Sequence, residues 1–101
     1  MDRLTEFQAI TSRVVAGYVA RSLNAKLYHI HDEANKIDSV VVVPNQRSNV
    51  PHIMVMTRIE GDHVIIEADT TDRPVDDALV SAGVPRSHIV LAYADEAASL
   101  A

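Results

Sequence analysis

Cysteine and tryptophan are both missing from this 101-residue chain, and glycine occurs only three times. Without cysteine no disulfide can staple the fold, so a hydrophobic core has to hold it. Gly17, Gly61 and Gly83 are too few and too scattered for a phosphate-cradling loop, which rules out nucleotide binding by a Walker or Rossmann motif. No segment approaches the roughly 18 apolar residues of a membrane span. The opening Met1-Asp2-Arg3-Leu4-Thr5-Glu6 lacks the basic start and apolar run of a signal peptide, so a cytoplasmic protein is expected. Basic residues are scarce too. Nine Lys and Arg against fourteen Asp and Glu leave a net charge of −5, the wrong sign for neutralising phosphates, and autonomous nucleic-acid binding is not expected.

What the chain does have is apolar content. Hydrophobic residues make up 48% of it, enough for one ordinary folded domain. At this size a domain buries roughly 65% of the surface its unfolded form exposes, a feasible but modest core.

The apolar residues fall into two periods. Leu4, Phe7, Ile10, Val14 and Tyr18 recur at spacings of three and four, which predicts an amphipathic helix over residues 2–21. Asp2, or Thr5 with Gln8 one turn later, suits its start, and Arg21 suits the negative end of its dipole. Gly17 is expected to serve close packing. From residue 25 to 69 the pattern changes to short β-rich runs at 26–31, 37–43, 52–59 and 63–69, separated by polar turns. Glu60-Gly61-Asp62 is a tight hairpin turn, where glycine accepts positive φ. Pro74, Asp76 and Asp77 begin a second helix that Gly83 stops, Pro85 blocks its continuation, and Ile89-Val90-Leu91 is a buried fifth strand. Residues 94–101 are expected to form a loose tail.

The expected fold is therefore α+β in the order α-β-β-β-β-α-β, one domain over residues 1–101, with a mainly antiparallel five-stranded sheet and two helices packed on one face. Val40-Val41-Val42-Val43 and Val64-Ile65-Ile66 are unbroken apolar runs, so both sides of these strands seek cover. Two helices at about 10 Å each blanket one face of five strands at about 4.8 Å spacing, but not both. A protein partner or a second copy of the chain is the expected cover for the other face. Met54 and Met56 are placed on one face of the third strand with His52 and Arg58, a mixture suited to an interface.

Catalytic signatures are absent. His29 and His31 share a strand face beside Asp32, and His52 or His63 would have to complete a metal site across the sheet; no metal is expected. Glu67, Asp69, Asp72, Asp76 and Asp77 are explained by a turn and a helix start rather than by Mg²⁺. A nuclease core needs an acid-x-Lys triplet, and Glu67-Ala68-Asp69 puts Asp where Lys would be required. Ser39, Ser81 and Ser87 lack a nucleophile turn, and His88 marks a strand edge. No catalytic residue and no cofactor are expected.

The run Asp62-His63-Val64-Ile65-Ile66-Glu67-Ala68-Asp69-Thr70-Thr71-Asp72, followed by a helix ending in Ala82-Gly83-Val84-Pro85 and the strand Ile89-Val90-Leu91, resembles the XisI family of fdxN-element excision controlling factors. The likeness extends to the opening Met1-Asp2-Arg3-Leu4 and to His31-Asp32-Glu33. Ile65 stands where members of that family carry tryptophan. The resemblance implies a non-catalytic accessory role in programmed DNA rearrangement, acting with XisH, a restriction-endonuclease-type partner. The reading from a different class is a small ligand- or metal-binding protein, or an enzyme, using His29, His31, His52 or His63 on the open sheet face.

Overall fold

The computed structural model describes residues 3–19, 24–46 and 50–94. Helix α1 spans Arg3–Ala16, strands β1 to β4 span Ala25–Asp32, Ile37–Pro44, His52–Glu60 and His63–Asp69, helix α2 spans Val75–Ala82, and β5 spans Ile89–Leu91. Short 3₁₀ turns, Arg86–His88 and Ala92–Ala94, flank β5.

Helix α1 buries Phe7, Ile10, Thr11 and Val15, and Tyr18, just past its end, is buried with them. Thr11 and Val15 take the core positions that the sequence pattern gave to Val14, which is half-buried, because steps of four from Phe7 stay closest to the helical period. The helix ends at Ala16 rather than at residue 21. Gly17 N–H is shared between the carbonyls of Arg13 and Val14, both at 3.1 Å, and Tyr18 and Val19 continue with three-residue bonds, the tightened winding of a helix end. Gly17 is exposed, so it ends the helix rather than allowing close packing. Thr5 already lies within the first turns, which removes the later capping box, while Asp2 and Arg21 fall outside the described residues.

The sheet runs β1-β2-β3-β4-β5, antiparallel except for the parallel pair β4 and β5. Gly61, at φ 57°, turns β3 into β4 within two residues. At the β1–β2 turn the Asp32 carboxylate accepts the Asn35 backbone N–H at 3.0 Å, an Asx turn. The Asn35 side-chain amide, and after it that backbone bond, hold the Asp32 carboxyl below its usual range. Register shifts occur between Val40 and Val41 and between Met56 and Thr57.

The parallel crossover from β4 to β5 requires a helix, and α2 supplies it. Asp69 sets its start: one carboxylate oxygen accepts Thr71 N–H and Oγ–H, and the other accepts Val75 N–H at 2.8 Å, satisfying a donor of the first helical turn. Its end is a Schellman motif. Gly83, at φ 117°, donates to Val80, and Val84 N–H reaches back to the Leu79 carbonyl at 3.0 Å while both side chains are buried.

Both helices pack on one sheet face. Phe7, Ile10, Val15, Val75 and Leu79 join Val40, Val55, Val64, Ile66 and Ile89 in a single core. Ile65 and Val90, register partners on the opposite face, are buried as well, where the turn Ala92–Ala94 folds back against β4. Residues 95–101, most of the expected tail, lie outside the described residues.

Candidate functional site

Strand β1 presents two unlike faces. Its odd positions turn to the helices and its even positions turn away, because successive side chains alternate across a sheet.

On the helix side, His29 and His31 converge on one carboxylate. Asp38 is their neighbour on β2, paired in register with His31, and its side chain is only 5% exposed. Asp38 Oδ1 accepts His29 Nε2–H at 2.8 Å and His31 Nδ1–H at 3.0 Å, and its Oδ2 accepts the Ser12 hydroxyl from α1 at 2.9 Å. His31 also gives its other nitrogen proton to Glu33 at 2.6 Å. Gln8, Ser12, His31, Glu33, Lys36 and Asp38 line a cleft of about 230 Å³ at this point.

Glu33, then Asp38, raise the His31 pKa above its usual 6.5, since both ring nitrogens face carboxylates and the imidazolium is favoured. The Ser12 hydroxyl gives its proton to Asp38 Oδ2, so Ser12, although 3.3 Å from His31 Nδ1, is held by the cluster rather than activated by it. The raised pKa also fixes a pH dependence. The contribution of His31 to stability is full below 6.5 and is lost as pH rises through the folded-state value. With the side chain 39% exposed, solvent screens the pair and the effect is small. Between pH 6 and pH 9 the parent chain is expected to lose about 2 °C more in Tm than His31→Gln does, measured by thermal denaturation in matched buffers.

The opposite face of β1 is apolar and open. Tyr28 is 49% exposed and Ile30 is 50% exposed. Register carries each into a cross-strand row: Tyr28, Val41 and Ile53 form one, and Ile30, Ser39 and Met56 form the next. Arg58 follows Met56 on this face, clamped by Glu67 and Glu60 at 2.7 Å each, and these carboxylates raise its pKa. The expectation that the second face goes uncovered by helices holds for β1 to β3.

Several sequence expectations are rearranged. His29 and His31 lie under α1, not on the open face. Met54 does not share a face with Met56: the register shift opposite Val40 and Val41 turns Met54 into the helix-side core. His52 is exposed at the start of β3, and His63 lies on β4, three strands from β1 or about 14 Å, so neither completes a site with His29 and His31. Of the acidic residues, Glu67 pairs with Arg58, Asp69 caps α2 and Asp76 lies 3.9 Å from Arg86; Asp72 and Asp77 are exposed. Ser81 and Ser87 are exposed, and Ser39 is buried between Ile30 and Met56. Asp38 was missed. The signal was there, a lone charge inside the apolar run 37–43, where burial demands partners.

The chain is an α+β domain with both helices on one face of a mixed five-stranded sheet and exposed apolar side chains on the other. The model of the XisI protein family matches residues 1–99, and the chain belongs to that family. Its fold is that of a XisI-like protein from Anabaena variabilis ATCC 29413, with TM-score 0.78 and 23% identity over 87% of this chain and 84% of that one. It is also similar to the fdxN element excision controlling factor XisI from Anabaena variabilis ATCC 29413, with TM-score 0.75 and 21% identity over 91% and 93% of the two chains. No curated protein matches the sequence. Among the described residues no helix is long and apolar enough to cross a membrane.

Proposed function

We propose that this chain is a non-catalytic accessory factor that controls excision of a DNA element by docking an XisH-like, nuclease-fold protein on its open sheet face. The observation that carries the reading is the pair of rows Tyr28-Val41-Ile53 and Ile30-Ser39-Met56, apolar except for the buried Ser39, which the helices leave uncovered with Tyr28, Ile30 and Ile53 exposed. Family membership supports the excision role, and the net charge of −5 suits a partner with a basic DNA-binding groove. A second copy of the chain is the competing occupant.

Co-expression of the tagged chain with the XisH-like protein of its own host, followed by size-exclusion chromatography with light scattering, tests the reading. A stoichiometric heteromeric complex is expected, with affinity that falls as salt is raised. Recovery of the chain solely as a homo-oligomer would overturn the partner assignment, and a salt-independent affinity would remove the charge mechanism.

A further inference from the structure

The parallel pairing of β4 with β5 creates a second cluster, remote from the one at Asp38. Val64 is in register with Ile89, so the residues just before them, His63 and His88, stand side by side where the two strands begin. Their rings are 5.5 Å apart and tilted by 41°. The β3–β4 turn brings Asp62 to the same point. His63 Nδ1 lies 3.0 Å from Asp62 Oδ1, and His88 Nδ1 lies 2.9 Å from the Asp62 carbonyl oxygen and 3.5 Å from its Oδ2. Behind His88 the Phe7 ring packs at 5.4 Å, edge to face, and fixes the imidazole from the core side. One donor atom from each of Asp62, His63 and His88 lies within 4.8 Å of the other two.

We propose that Asp62, His63 and His88 form a metal site for Zn²⁺ or a similar borderline transition metal, with solvent completing the coordination. Bonds of about 2.0–2.2 Å put neighbouring ligands of a tetrahedral ion roughly 3.4 Å apart, so closure asks the donor atoms to move inward by about 1 Å. Asp62 and His63 are 50% and 32% exposed in their side chains and can make that adjustment, while His88, at 17%, supplies the fixed point. Two imidazoles and one carboxylate select zinc, nickel, cobalt or copper over Mg²⁺ and Ca²⁺, which prefer all-oxygen shells. Bound metal ties the β3–β4 hairpin to the entry of β5. The site joins His63 to His88, 25 positions further along the chain, and not to His29 and His31.

The test uses the full chain, stripped with a chelator and titrated calorimetrically with Zn²⁺. One ion per chain is expected, with a rise in Tm. His63→Gln and Asp62→Asn should each weaken binding at least tenfold, by roughly the loss seen when a metal-site group is removed. His31→Gln should leave it unchanged. Because His88 supports Phe7, the half-exposed His63 and Asp62 variants carry the decision, with circular dichroism confirming that they fold. Absence of binding up to about 1 mM Zn²⁺, a value typical of the weakest metal modules, would overturn the site. So would parent-like affinity in both variants, or loss of binding through His31→Gln.

Discussion

A Tyr28→Glu, Ile30→Glu double variant is expected to lose at least 100-fold in affinity for the docked partner while keeping its fold. Both side chains are about half exposed on the outer face of β1, so the substitutions remove little core packing. In the complex they would bury two carboxylates against Val41, Ser39 and whatever covers them. Desolvating a single unpaired charge at an interface centre costs several kcal/mol, and aromatic anchors such as Tyr28 are frequent hot spots, so a loss of about 2.7 kcal/mol or more is a conservative expectation. Isothermal titration against the isolated partner measures it. A substitution at Asp77, exposed on α2, is the control and should change affinity little. Equal binding by parent and double variant, with both folded, would show that the open face is not where the partner sits.

The second large effect concerns the fold itself. Asp38→Ala is expected to lower the unfolding free energy by about 2–4 kcal/mol, because it leaves three donors, on Ser12, His29 and His31, without the carboxylate that accepts from them. Asp38→Asn should lose less, since the amide oxygen still accepts from one side. Urea denaturation followed by circular dichroism distinguishes the two. The cluster ties α1 to β1 and β2, so a loss of that size in a domain with 5–15 kcal/mol of typical stability would also loosen the sheet edge that presents Tyr28 and Ile30. If Asp38→Ala unfolded with the parent's midpoint and slope, the carboxylate would have to be counted as solvated rather than structural.

The local vocabulary of the fold was legible. Short β-rich runs bounded by polar turns located all four antiparallel-paired strands to within a residue at each end, and β4 at 63–69 coincides in both ends. The residues of the Gly83 stop and the Pro85 block contain their own geometry, since only glycine takes φ near 117° without strain and only proline lacks the N–H that would extend the helix. Helix α1 was overextended because Tyr18 continues the apolar spacing beyond Gly17; the stripe persists through a 3₁₀ turn that periodicity does not distinguish from an α-helix.

The faces were less legible, and the reason is arithmetic. Alternation assigns sides only while pairing proceeds one residue to one, and the shift at Val40 and Val41 breaks that count, which sent Met54 inward while Met56 stayed out. Alternation placed His29 and His31 together, but not on a side; the packing of α1 decided that, by bringing Ser12 to Asp38.

By itself, then, the sequence determined the class of the fold, the order of its elements and the family, because these rest on short-range periods, turn residues and motif order that a chain carries locally. Tertiary structure alone decided which sheet face stays open, which carboxylate gathers His29 and His31, and that His63 meets His88. Each of those depends on strand register and helix placement across 9 to 55 residues of chain, as in the contacts from His29 to Asp38 and from Tyr18 to Arg73, and such pairings are chosen by the packing of the whole core rather than by any local stretch.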